Sequence, residues 1–353
     1  MVFLKILLAG VLMVTGINLH AGGYLEDLHI IDWHVHVAGL GYGGSGCFIN
    51  EKMRGSLRYQ FYLRVMDVTE AELKTGGDRI IFKMLDEKIR GSTYIDQAVI
   101  LALDGVIDGD GNVDKLRTQV YVPNDYVAEE TARYDTLLFG ASINPNRPDA
   151  IERLERAAVR GAVLIKWIPS IMDIDPADER FTAFYRRMAE LNMPLLTHAG
   201  KERSFAEARD ELADPLRLEL PLKLGVTVIA AHIATTGKSG GQKNFERLLP
   251  LFDKYTNLYT DISSLTQINK LGYLVQALQR SRLIDRMLYG SDWPLQFFPL
   301  VSPWYHIRHI SLQKAWRITG IKNQWDRDVL LKDAMGVPHS VFEKTPPGYL
   351  RRH

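Results

Sequence analysis

The sequence has almost no cysteine: Cys47 stands alone among 353 residues. One cysteine closes no internal disulfide, so this is not a disulfide-stapled scaffold, and cysteine usage says little about redox compartment. Nor does Cys47, in Gly43-Gly44-Ser45-Gly46-Cys47, have a base nearby in sequence to activate it as a nucleophile. An excess of one charge is also missing. Lysine and arginine number 43 against 42 aspartates and glutamates, a formal net charge of +1. Nothing in that balance suggests the clustered basic surface that holds nucleic acid. The one basic cluster, Arg351-Arg352-His353, is read as a solvated tail. Solenoid-type repeats and low-complexity tracts are lacking as well.

The N-terminus departs from this evenness. Lys5 precedes an apolar stretch from Ile6 to Val14, and Leu19-His20-Ala21 follows. That is the layout of a secretory signal peptide. The stretch is shorter than the roughly 20 residues a membrane-spanning helix needs. Residues 1–21 are therefore expected to be a cleaved leader of an exported, periplasmic or secreted protein, with no other membrane attachment. If the leader is not removed, the protein is cytoplasmic. The folded domain is expected over 22–345, with a tail over 346–353.

What the chain has in quantity is apolar runs of strand length, at 29–34, 98–103, 137–142, 161–167, 194–198, 227–232, 258–261 and 287–292. Near-continuous apolar runs mark strands buried on both faces. Helix-like stretches separate them. One spans 149–158 with Asp149 as its N-cap. A second spans 181–191, with Phe181, Phe184, Tyr185, Met188 and Leu191 at helical spacing. A third spans 271–283, with Leu271, Leu274, Val275 and Leu278 on one face. Eight strands alternating with helices predict an α/β fold, a (β/α)8 TIM barrel, which takes about 250 residues or more as one unit. The gap between the first two strands holds Gly39–Gly46 and helix-like stretches at 56–73 and 78–89. It is read as an insertion at the catalytic rim.

Polar residues fall at the ends of these runs: His34 and His36 on the first, Lys166 on the fourth, His198 on the fifth, His232 on the sixth and Asp292 on the eighth. In a barrel all the strands' carboxyl ends open on one mouth, so these residues converge. His34 and His36, two apart on a strand, face the same side and can bind one metal ion. Imidazole with carboxylate suits zinc, manganese or iron better than calcium. Asp32 is expected to face away from the two histidines as a structural acceptor. His306 and His309, beyond the last strand, are read as structural, and Lys201, Glu202 and Arg203 as a rim loop, solvated unless one of them contacts an acidic substrate.

Asp32-Trp33-His34-Val35-His36 resembles the first-strand HxH motif of the amidohydrolase superfamily. Thr197-His198-Ala199-Gly200, Ala231-His232 and Gly290-Ser291-Asp292-Trp293-Pro294 resemble its fifth-, sixth- and eighth-strand signatures. The last of these, with Asn144-Pro145-Asn146-Arg147-Pro148-Asp149, looks most like the amidohydrolase-related branch, which includes aminocarboxymuconate-semialdehyde decarboxylase, related decarboxylases and lactonases. The resemblance spans about Ile30 to Pro294. It implies a divalent metal, zinc ahead of manganese or iron and one ion rather than two, held by His34, His36, His198 and Asp292. It makes Asp292 the proton carrier and His232 the group that polarises the scissile carbonyl. Lys166 stays open between a carbamylated bridge to a second metal, a contact to substrate or metal surroundings, and structure alone. The expected activity is hydrolysis of an ester, lactone or amide of a small, carboxylate-bearing substrate. The rival is a metal-dependent, non-hydrolytic decarboxylation of an unsaturated or aromatic acid; a third reading is a barrel that binds a metal or ligand without chemistry. A homodimer is common among such enzymes.

Overall fold

Burial on both faces turns the eight apolar runs into strands. The structure is a computed structural model and describes residues 25–349. The runs form β1 (Ile30–His36), β2 (Ile95–Leu101), β3 (Leu137–Gly140), β4 (Ile165–Trp167), β5 (Leu195–Thr197), β6 (Val228–Ala230), β7 (Leu258–Asp261) and β8 (Met287–Leu288). They pair in parallel as β1-β2-β3 and as β4-β5-β6-β7-β8. Two seams join the groups. At one, the Ala141 N–H donates to Leu164 O and the Lys166 N–H donates to Ala141 O. At the other, Val35 bridges Trp293 and the Trp33 N–H donates to Tyr289 O. The ring closes, giving the eight-stranded barrel that the alternation predicts. Inside it, Ile31, Trp33, Val99, Leu196, Ile229 and Leu288 belong to a small cluster distinct from the larger core.

The first strand carries an irregularity on which the site depends. Asp32 pairs with Ala98 but Val35 pairs with Ile100, so β1 holds one extra residue. This is a β-bulge, which re-aims side chains locally. Strict alternation would put Asp32 on the same face as His34 and His36. The bulge turns it over, so Asp32 does face away, for a reason the two-residue period does not contain. Asp32 then holds the bulge in place. Its carboxylate accepts from the His34 N–H (3.0 Å), the Ser291 N–H (2.9 Å) and the Trp325 indole N–H (2.7 Å).

Several helix expectations need correction. The 56–73 stretch is two helices, Leu57–Val65 and Glu70–Gly76, broken where Asp67 takes a left-handed φ of 59°. A reciprocal Thr69–Glu72 capping box starts the second. The 271–283 stretch divides into Tyr273–Leu278 and Ser281–Ile284, leaving Leu271 outside and exposed. The helix Ala150–Val159 gets no side-chain cap from Asp149, whose carboxylate instead accepts from Arg153 (2.8 Å). The 181–191 stretch is a 3-10 turn, Glu179–Phe181, leading into the helix Thr182–Glu190.

The expected leader over 1–21 lies outside the described residues, as do the last four residues of the expected tail. Within that tail the Tyr349 ring packs edge-on against Trp33 at 5.0 Å. Among the described residues no helix is long and apolar enough to cross a membrane.

Candidate metal centre and active site

The bulge in β1 delivers both imidazoles to the barrel mouth. His34 Nε2 and His36 Nε2 lie 3.1 Å apart. Asp292 joins them from the far seam: its N–H donates to His34 O (3.0 Å), which sets the loop after β8 directly on β1. Gly290 permits that approach, because a Cβ there would stand 3.1 Å from His34 Cβ and 3.3 Å from Ser263 Cβ. Asp292 Oδ1 sits 3.6 Å from His34 Nε2 and 3.4 Å from His36 Nε2. Asp292 (φ 64°) and His232 (φ 40°) both hold left-handed backbone, which non-glycine residues adopt at a cost and which concentrates at functional sites.

These spacings suit a metal. Ligands about 2.1 Å from a tetrahedral zinc stand roughly 3.4 Å from one another, and the ligand atoms of His34, His36 and Asp292 all lie within 4.8 Å of each other. The protonation states suit it too. Burial pulls the His36 imidazole down to about 4, against the opposing pull of Asp292. Burial alone would raise the Asp292 carboxyl, but the His34 charge and the His36 hydrogen bond outweigh it and hold the group well below the usual carboxylate range. Metal binding needs this combination of neutral imidazole and ionised carboxylate.

His198 is placed differently. It lies outside that close trio, with Nδ1 3.2 Å from His232 Nε2 and 3.5 Å from Glu202 Oε2. Its Nε2, like Nδ1 of His232, is buried without a hydrogen-bond partner among the described residues. Buried polar atoms are seldom left unpaired, so these two nitrogens mark room for a further group. Burial holds both imidazoles below their ordinary range; at His232 the charge of Lys270 acts next in the same direction. Lys166 is fully buried, with Nζ 2.7 Å from His34 Nε2. Burial brings its ammonium down to about 8.

Four residues here had no settled role in the sequence reading. Asp261, ending β7, accepts from His34 Nδ1 (2.8 Å) on one oxygen and from the His232 N–H (2.7 Å) on the other. Ser263 donates its hydroxyl to the same carboxylate. Glu202, expected in solvent, has a side chain only 5% exposed, correcting that part of the rim-loop reading. Lys270 lies buried in the cavity wall. The rule that found His34 and Asp292, a polar residue ending an apolar run, also fits Asp261; Lys270 follows no run and carries no such signal. His306 is structural as read: its Nε2 donates to Thr266 O (2.9 Å).

The trio opens on a cavity of about 670 Å3, walled by Met53, Phe61, Tyr62, Met66, Leu103 and Phe297 among others. The insertion supplies the first four, and Phe61 meets Phe297 edge-on at 4.7 Å. A much smaller cavity of about 50 Å3 lies elsewhere, beside Asp104 and Arg147. The Asn144–Asp149 motif serves structure there. Arg147 grips the buried Asp104 through two hydrogen bonds (2.7 and 2.6 Å), and Asn144 donates to Gly105 O and Met172 O.

Residues 31–306 match the family described as Amidohydrolase. No curated protein matches the chain. Among solved structures, an uncharacterized TIM-barrel protein from Bordetella bronchiseptica is similar at 18% identity and a TM-score of 0.54, over 87% of this chain and 99% of that one. A putative 2-pyrone-4,6-dicarboxylic acid hydrolase from Pseudomonas putida has 16% identity and a TM-score of 0.44, over 87% and 98%. A 2,6-dihydroxybenzoate decarboxylase from Rhizobium has 14% identity and a TM-score of 0.48, over 88% and 100%. At 18% identity the first of these likenesses speaks to fold alone.

Proposed function

This chain belongs to the amidohydrolase family, and from that premise we propose that it is a metal-dependent hydrolase of an ester, lactone or amide in a small, carboxylate-bearing substrate. The observation that carries the reading is the meeting of His34, His36 and an ionised Asp292 at the floor of a largely apolar cavity. His34, His36 and Asp292 would hold one divalent ion, with the unpartnered Nε2 of His198 available to complete the set. Such an ion supplies Lewis acidity, which can bring the pKa of a water to about 7.

The remaining work falls to side chains. Asp292 turns Oδ1 toward the two imidazoles, leaving Oδ2 to take the proton of the attacking water and hand it to the leaving group. Its low pKa keeps it ionised, as a general base must be. His232, kept neutral by burial and by Lys270, donates a hydrogen bond to the carbonyl oxygen as charge builds there. The apolar wall from the insertion excludes bulk water and strengthens these interactions. Export, with removal of residues 1–21, is part of the same proposal.

The same residues could serve decarboxylation, and a large apolar cavity holding buried cations also accommodates an aromatic acid. One experiment separates the readings. The purified protein is analysed for metal, then assayed against lactones and esters by acid release and against hydroxybenzoates by carbon dioxide release. About one ion per chain with acid release, and at least a ~100-fold loss in kcat in Asp292→Asn, supports hydrolysis. Carbon dioxide release without hydrolysis establishes the rival. About two ions per chain assign Lys166 as a bridging ligand. Failure to take up metal leaves only the barrel without chemistry.

A further inference from the structure

Three lysines of the described chain are buried, and they differ in how their charge is met. Lys332 Nζ donates to Asp328 Oδ2 (2.6 Å) and to Gly290 O (2.8 Å), so its charge is neutralised. Lys166 sits against His34, inside the candidate metal centre. Lys270, 5% exposed, has a single hydrogen-bond partner, the Ser264 hydroxyl. Among the described residues no carboxylate lies within ion-pairing distance of it. An ammonium carries three donors, so two of Lys270's are unspent. A buried charge without a counter-ion is costly and persists where something supplies one.

A second unspent donor stands beside it. Gln267 is 3% exposed, and its Nε2 has no hydrogen-bond partner among the described residues. Both side chains line the main cavity. They share one short segment after β7, ending in the 3-10 turn Ile268–Lys270. That segment is fixed in place. The Ile268 N–H donates to Leu300 O (2.9 Å), Gln267 bridges Val301, and Thr266 O accepts from His306. The acids whose charge reaches Lys270 are engaged elsewhere: Asp292 faces His34 and His36, Asp261 accepts from His34 and His232, and Glu202 accepts from the N–H groups of Arg203 and Ser204 on Oε1 with Oε2 facing His198.

We propose that Lys270 and Gln267 form the subsite that binds a carboxylate of the substrate, away from the reacting bond, and so select anionic over neutral substrates. The proposal rests on the hydrolase reading for the identity of the site as active, and deepens it by naming what fixes the substrate's charge. A carboxylate has two oxygens, one for the Lys270 ammonium and one for the Gln267 amide, and its organic body would lie on the apolar wall. Inorganic phosphate offers the same charge without that body.

The test is calorimetric titration of the full-length, metal-loaded protein with benzoate, isophthalate, benzamide and inorganic phosphate. Wild type is compared with Lys270→Met, Lys270→Arg, Gln267→Leu and Asp292→Asn. In Lys270→Met the carboxylates should bind about 10- to 100-fold more weakly, as for loss of a charged hydrogen bond. Benzamide should be unchanged. Lys270→Arg should recover most of the affinity, and Gln267→Leu should lose several-fold, which keeps the test open if Lys270→Met does not fold. Carboxylates binding equally well to wild type and Lys270→Met overturn the proposal. So do benzamide losing as much as benzoate, phosphate binding more tightly than either carboxylate, or no carboxylate binding to wild type. Asp292→Asn separates the two levels. If it binds isophthalate as wild type does but turns over substrate undiminished, the hydrolytic role of Asp292 fails while the subsite stands.

Discussion

Asp261→Asn is the substitution that best probes how this site is built. Asp261 is not part of the main cavity's wall, yet one oxygen receives the His34 Nδ1–H (2.8 Å) and the other the His232 N–H (2.7 Å) and the Ser263 hydroxyl. It therefore sets the tautomer of His34, pointing the Nε2 lone pair at the metal position, and it also fixes the turn that carries His232. Burial would raise its pKa, but the His34 charge and these hydrogen bonds lower it overall, so the group is a carboxylate. Asparagine keeps the shape and removes the charge that makes His34 a stronger donor. Loss of such a partner weakens metal binding by about 10- to 100-fold, which is roughly 1.4–2.7 kcal/mol. The assay is zinc affinity by competition with a chromophoric chelator, with thermal unfolding of the metal-free protein alongside. Unfolding alone cannot decide, because any buried charge deletion destabilises. The decisive quantity is zinc affinity relative to a variant equally destabilised elsewhere, such as one at Arg147. An Asp261→Asn protein whose zinc affinity stays within about twofold of wild type would refute the reasoning.

Two further expectations follow from buried charge. His36 is held neutral down to about 4, and His198 and His232 are also depressed, whereas an unfolded histidine titrates near 6.5. Between those values the unfolded chain binds more protons than the folded one, so metal-free stability should fall as pH drops from about 6.5 towards 4; urea midpoints that stay level across this window would contradict it. Arg147→Ala strands the buried Asp104 carboxylate, whose two arginine bonds are 2.7 and 2.6 Å. It should cost about 3–5 kcal/mol in denaturant unfolding, and a loss below about 1 kcal/mol, typical of an exposed pair, would mean that water reaches the site.

The barrel was legible because it repeats one physical signal. Eight strands buried on both faces leave eight apolar runs, and a polar residue at the end of such a run stands out by contrast. His34, His36, Lys166, His198, His232 and Asp292 were found in that way, and the structure brings them to one mouth. The helix breaks were missed, although Thr69-x-x-Glu72 is a start signal written in the sequence. At the break itself Asp67 takes left-handed backbone, and Asp67-Val68-Thr69 are all weak helix formers between two stretches that favour helix. Asp32 shows a subtler limit. Its orientation came out as expected only because a bulge reverses what the two-residue period dictates, and a bulge is a property of pairing between strands, invisible in either strand alone. The loop residues are the hardest case. Glu202 sits in a segment read as polar rim and Lys270 in one that carries no motif, yet both side chains are buried. The segment that carries Lys270 is tied through Thr266, Gln267 and Ile268 to His306, Val301 and Leu300, which belong to the loop after β8. Motif reading reaches what strands position, since strand position is periodic. What two loops position against each other has no period, and it is there, between the segments after β7 and β8, that the proposed carboxylate subsite lies.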